Sequence, residues 1–266
     1  MKFSLTKWML PTYAAIALVF LLIPIAYTFV FSFNDSVKSN IAWRGFTLNN
    51  WLNVCDKQDV CEAFGNSILV GITATVIATT LGTMIAIALV RYRFKFRSSI
   101  SLLLFLPMAT PEVVLAAGLA AEFLGAGVQK GLGTIIIAHT MFCISFVVVT
   151  VKARVASLDP ALEEAGRDLY GSPQQVFWRI TFPLLLPGIV AAALLSFALS
   201  FDDFIITSFN SGAATTFPKF VYTAAARGIP AEANVIASAV FLLALILVVV
   251  QQVTSASRAK RAAAVK

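Results

Sequence analysis

The chain has 266 residues, of which 59% are hydrophobic and only 12% charged, with a mean hydropathy of +0.87. A soluble domain carries about twice that charged fraction, so a soluble enzyme is excluded and the class is a polytopic membrane protein. The net charge of +7 calls for no nucleic acid, because basic residues also anchor loops to an anionic leaflet.

Six apolar runs approach the roughly 20 residues that span a bilayer. They are Met9–Phe33, Phe64–Val90, Ser99–Ala121, Leu132–Val151, Leu184–Ile206 and Ala233–Val253. The expected fold class is all-α, with six transmembrane helices. The first run follows Lys2 and Lys7 but is too long for a signal-peptide core, and no A-x-A site follows it. Asn34 to Glu62 is a polar outer loop. Its Trp43 and Trp51 suit interfacial anchors or contacts with an outside partner. Cys55 and Cys61 share that loop, where either a local disulfide or two free thiols fits.

In the second run Ala74, Ala78, Gly82 and Ala86 recur every four residues, a stripe along which another helix can approach closely. The third contains Pro107 and Pro111, each removing a backbone donor, followed by Glu112. At 1.5 Å per residue Glu112 lies about 20 Å from the inner end. The fourth holds Cys143, read as a small packing residue, and His139, read chiefly as a packed, neutral histidine. Asp202 and Asp203 sit near the outer end of the fifth. Thr207 to Glu232 is too polar to span and is expected to dip back partway.

With both termini in the cytoplasm, inner segments carry 14 of the 20 Lys and Arg residues, as the positive-inside rule requires. Of thirteen acids, only Asp159, Glu163, Glu164 and Asp168 fall on that side. All four lie in one stretch, DPALEEAGRDLYGSPQQVFWRITFPLLLP, from Asp159 to Pro187. Asp159-Pro160 is a helix start, an N-cap acceptor followed by proline at the first helical position. Glu163 and Glu164 then favour the helix dipole, and Gly171 is the expected C-terminal stop. Ser172-Pro173 repeats the start signal. A second short helix, with Val176, Phe177 and Ile180 on one face, should close at Pro183. The charges between Lys152 and Arg179 balance. A helix lying on the membrane favours a basic polar face instead, so the pair reads as a plug for a groove on another protein.

This stretch resembles the EAA loop of permease subunits of binding-protein-dependent ABC importers: E-A-A, three residues, G, nine residues, I-x-L-P. Glu164-Ala165-Gly166 stands at E-A-A, Tyr170 at the glycine, and Ile180-Thr181-Phe182-Pro183 at I-x-L-P. Glycine replaces the second alanine, and Tyr170 puts Gly171 one residue late, so a shifted or wider turn is expected. From Leu199 to Pro230 the chain is similar to spermidine/putrescine permeases of the PotC and PotI type, with their D-D-F, G-x-x-T-T-x-P and R-x-G.

The resemblance implies a type I ABC importer permease (MetI-like) fold. It implies residues 1–63 as first span and outer loop, 64–253 as permease core with the EAA loop at 152–183, and 254–266 as a basic cytoplasmic tail. It implies coupling to an ATPase through Glu163, Glu164, Ala165, Gly166, Tyr170, Gly171, Ile180 and Pro183. The implied partners are a cytoplasmic ATPase dimer, a second, homologous permease subunit, an extracytoplasmic substrate-binding protein and membrane lipid. No GxxxxGK[ST] loop occurs, so ATP and Mg belong on the partner ATPase and no cofactor on this chain. No nucleophile–base pair or metal spacing occurs either.

Ionisable groups inside a membrane usually face a cavity. Glu112, Asp202 and Asp203 suit a polycation's path, with Phe201 and Phe204 for its methylene stem and for cation–π contact. Adjacent residues on a helix point about 100° apart, so one of the two aspartates should face the path. Three rivals stand beside this reading. They are an ABC permease for ferric iron, an anion or an osmolyte, a secondary transporter relaying protons through Glu112 and His139, and an intramembrane enzyme.

Overall fold

The computed structural model describes residues 5–36, 42–56 and 58–264, with side chains between 9 and 254. Lys2, Lys38, Lys57 and Lys266, counted in the charge bias, lie outside the described residues. The chain divides into two compact units, residues 1–61 with 221–266, and residues 62–220.

In the first unit α1 (Leu5–Phe31) and α12 (Ala231–Ala264) lie against each other. Between them in sequence, the segment after α1 folds on itself. The Asn34 side chain donates to Ala42 O at 2.9 Å and accepts from Arg44 N–H at 2.8 Å. Phe33 stacks between Phe46 and Trp51, both at 5.5 Å. Trp51, in the short α2 (Asn49–Leu52), also donates its indole N–H to Ser32 Oγ at 3.0 Å. Trp51 is thus tied into a folded cap. Trp43 stays half exposed, with its ring edge-on to Phe31. Cys55 and Cys61 are joined, their Cα atoms 5.5 Å apart.

The second unit is built around α6 (Leu132–Ala156), the most buried of the long helices. Helix α3 (Gln58–Arg91) meets it along the small-residue stripe. Ala74, Ala78 and Ala86 are fully buried, and a Cβ on Gly82 would stand 2.6 Å from Val147 Cγ1. Helix α9 (Phe182–Asp202) crosses α6 just as closely. A Cβ on Gly188 would meet Arg154 Cβ at 2.7 Å, and Arg154 donates its Nε–H to Leu184 O at 2.9 Å.

The structure corrects the third run. It is two helices, α4 (Arg97–Ala109) and α5 (Glu112–Gly125), bent by 109° at Thr110-Pro111. Pro111 cannot donate, and the residue before a proline is pushed out of helical geometry; Thr110 accordingly has ψ 136°. Counting 1.5 Å per residue through this corner does not place Glu112, because the path is not straight. Among the described residues five helices are individually long and apolar enough to cross a membrane, and the number rises to six if the bent pair counts as one span.

Two short helices follow, the second running out of this unit after residue 220. Helix α10 (Ile205–Asn210) packs on α5 and α6, with Ile206, Thr207 and Asn210 buried. Helix α11 (Phe217–Ala225) begins where Phe217 N–H donates to Ser67 Oγ at 2.8 Å.

Candidate functional site

Two groups of residues carry function-bearing chemistry: the charged loop after α6 and the acids at the end of α9.

In the loop, the Asp159 carboxylate accepts the Ala161 N–H at 2.9 Å and opens α7 (Ala161–Asp168). Gly171 N–H then bonds Gly166 O at 3.1 Å and Tyr170 N–H bonds Arg167 O at 2.9 Å. This nested pair closes a helix through a left-handed residue, usually glycine. Here that residue is Tyr170, with φ +59°. The expected shift or widening of the turn does not occur. Tyr170 adopts the left-handed conformation in place, which costs a side-chain-bearing residue about 1–2 kcal/mol. Gly171 is needed for a different reason, since a Cβ there would lie 2.6 Å from Gly166 O. At Gly166, where the family pattern has alanine, a Cβ would lie 2.6 Å from Ile180 Cδ1. Ile180 occupies the space of the missing methyl.

Ser172 and Gln175 form a reciprocal cap. Ser172 Oγ accepts the Gln175 N–H at 3.3 Å, and Gln175 Oε1 accepts the Ser172 N–H at 2.9 Å. The following helix is not short. Helix α8 (Pro173–Val176) runs through a π turn, Phe177–Thr181, directly into α9. Pro183 therefore does not end it. In the wider turn Phe182 N–H reaches back five residues to Phe177 O, the kind of local readjustment that accommodates a proline in a membrane helix.

The faces of α7 are sorted. Gly166 is buried, and Glu163 turns the same way. One Glu163 carboxylate oxygen accepts from Arg91 Nη2 at 2.8 Å and from Thr181 Oγ at 3.0 Å. Glu164 and Ala165 are exposed, as are Leu162 at 46%, Leu169 at 83% and Tyr170 at 98%. Ile180 is half-buried and Pro183 exposed.

At the other end of α9, the chain turns at Asp203 and restarts as α10. Asp203 is buried, and its carboxylate accepts the Thr207 N–H at 2.9 Å and the Ile206 N–H at 3.4 Å. His139 Nε2 lies 3.2 Å from Asp203 Oδ1 and 3.0 Å from Thr207 Oγ1, while Nδ1 lies 2.7 Å from Ser200 Oγ. His139 is thus buried with both ring nitrogens engaged. Glu112, in the first turn of α5, comes up beside Asp203 and within the field of Asp202. Asp202 itself is exposed. Phe201 stacks on Phe197 at 5.7 Å and meets Phe64 edge-on at 6.1 Å; Phe204 is half-buried. The structure therefore gathers Glu112, Asp202 and Asp203, and separates their surroundings: Asp203 is held by the fold, Asp202 is open. Among the described residues no three of His, Cys, Asp and Glu are arranged to hold a metal ion.

Sequence reading missed Arg91, Thr181, Ser200 and Thr207. The last had a signal, because an aspartate such as Asp203 just ahead of an apolar stretch is of the type that accepts from the first N–H groups of a helix. It was hidden by extending the apolar run through Ile206.

Residues 78–260 match the family of binding-protein-dependent transport system inner membrane components. The spermidine/putrescine transport system permease protein PotC of Haemophilus influenzae is 34% identical over 234 residues, 88% of this chain and 91% of that protein. The putrescine transport system permease protein PotI of Escherichia coli K12 is 34% identical over 227 residues, 82% of this chain and 80% of that protein. Among solved structures, a bacterial ABC transporter that imports the acidic polysaccharide alginate superposes with a TM-score of 0.65 at 16% identity, covering 94% of this chain and 96% of that chain; at that identity the likeness speaks for the fold alone. With the helical architecture and the capped loop, these findings establish a multi-pass protein of the bacterial inner membrane: the chain belongs to the binding-protein-dependent transport system inner membrane components, the permease subunits of ABC importers.

Proposed function

We propose that this chain is a permease subunit of an ATP-driven importer for polyamines, spermidine and putrescine, working by alternating access. The loop is its contact with a cytoplasmic ATPase dimer, which binds ATP and Mg. The observation that carries this reading is the outward face of α7 and its turn, where Leu162, Ala165, Leu169 and Tyr170 lie exposed in a segment that is not a membrane span. Apolar side chains on a charged, capped helix suit a groove on a partner. ATP binding favours the closed ATPase dimer because it binds that state better. Closure draws together the loops of this chain and of a second, homologous permease, and the cavity between them opens outward to a loaded extracytoplasmic binding protein.

The substrate follows from the relatives' names and from the acids. Glu112 and Asp202 offer carboxylates to a long cation, while Asp203 is buried and held by the start of α10. Phe201 and Phe204 supply apolar and cation–π contact for the methylene stem.

The direct test is uptake of labelled spermidine and putrescine in cells with and without the gene, each competed by the other. Deletion should abolish uptake. Full uptake in the deletion strain, with no second polyamine system active, turns the assignment to another importer substrate such as ferric iron, an anion or an osmolyte. For the loop, Glu164→Lys or Leu169→Pro should release the ATPase during purification while leaving membrane insertion intact. Unchanged co-purification of both variants would remove the loop from that role.

A further inference from the structure

Glu163 is absent from the exposed face of the loop, yet it is the acid on α7 with the most bonding. Its one oxygen takes a hydrogen bond from Arg91, at the last residue of α3, and another from Thr181, in the π turn. The Arg91–Glu163 pair is about four-fifths buried on both sides. It crosses a cleft of about 270 Å³ whose walls include Ile87 and Arg91 of α3, Glu163 and Arg167 of α7, and Phe177 of the π turn. On one side of α7, Gly166 sits tightly on Ile180, so α7 follows the π turn by packing. On the α3 side a cleft intervenes, and the ion pair bridges it.

We propose that Glu163 is a positioning residue for transport: a clasp that makes α7, the foot of α9 and the inner end of α3 move as one body when the ATPase drives the loop. This rests on the reading of the loop as the ATPase contact and adds to it the route by which displacement enters the second span. Arg91 holds Glu163 by a charge-assisted bond, about twice as strong as one between neutral groups. Its Nε is buried without a hydrogen-bond partner, so loss of the carboxylate leaves a part-buried guanidinium uncompensated. Glutamine at 163 keeps the shape and can still accept from Thr181, so the substitution removes the charge pair and little else.

The test uses the assembled importer in liposomes, with its ATPase, second permease and binding protein. Spin labels at Tyr92→Cys and Asp168→Cys report the distance between the end of α3 and α7. In the parent chain that distance should be the same with and without ATP. In Glu163→Gln it should change on ATP binding, as α7 moves without α3. The same preparations should keep their ATPase and hydrolyse ATP, while labelled spermidine taken up per ATP falls roughly tenfold, within the span of ordinary coupling free energies. Glu163→Asp should restore part of the ratio. An ATP-dependent distance in the parent, or an unchanged distance and uptake ratio in Glu163→Gln, overturns the clasp. Loss of the ATPase from Glu163→Gln also overturns it, by placing Glu163 in the docking surface. Failure of the docking reading shows elsewhere, as ATPase retained by Glu164→Lys and Leu169→Pro.

Discussion

Tyr170 takes a left-handed conformation because the hydrogen bonds on either side of it, from its own N–H and that of Gly171, close the end of α7 only through such a residue. Its side chain, 98% exposed, gains nothing from the chain's own core. Tyr170→Gly should therefore stabilise the turn by about 1 kcal/mol, read as slower hydrogen exchange at the Gly171 amide. The two aspartates at the end of α9 should separate just as cleanly. Asp203→Asn weakens two backbone caps and the contact with His139, and should lower stability by about 1–3 kcal/mol, seen as a lower melting temperature in detergent. Asp202→Asn, at an exposed position, should leave melting unchanged and reduce spermidine uptake. Equal melting losses in both would show that Asp202 is also held by the fold. Caps such as Asp159 and Ser172 were legible in the sequence because donor and acceptor lie two or three residues apart. The Glu163 clasp was not, because its partner Arg91 is 72 residues away, and charge pattern alone does not say which of two neighbouring glutamates turns inward.

Helix against helix, the contact of α3 on α6 leaves no room for a methyl. A methyl at Gly82 meets Val147 Cγ1 at 2.6 Å and Val147 Cβ at 2.8 Å, and neither can rotate far away. Gly82→Ala should cost about 1–3 kcal/mol by overpacking, and Val147→Ala in the same chain should return part of it; a melting series over the two single variants and the double measures this. The four-residue spacing announced that stripe correctly, since helical periodicity fixes which residues share a face. Proline was harder to read. The same residue type turns the chain by 109° at Pro111 and passes almost unmarked at Pro183. At Pro111 the preceding residue leaves the helix, whereas before Pro183 a π turn has already loosened the ladder. That difference lies in backbone hydrogen bonding several residues upstream, which a local sequence pattern does not display.

For the molecule as a whole, the basic bias leads us to propose an orientation with the α7 loop inside. In spheroplasts, an impermeant maleimide should label Gln129→Cys at once and Leu169→Cys only after the membrane is opened; the opposite order would invert the topology. Once that sidedness is set, the continuity of α8, the π turn and α9 has a mechanical meaning. The 30 residues from Pro173 to Asp202 form one rod, about 45 Å long. Its foot follows the α7 loop, the proposed ATPase contact, and its head ends at Asp202. Arg154 grips it between Leu184 and Gly188, which divides it into a shorter lower arm and a longer upper one. A lever with that fulcrum slightly enlarges the stroke it receives: with an upper arm of about 24 Å, a tilt of about 10° moves the head by about 4 Å, roughly the width of a methylene chain.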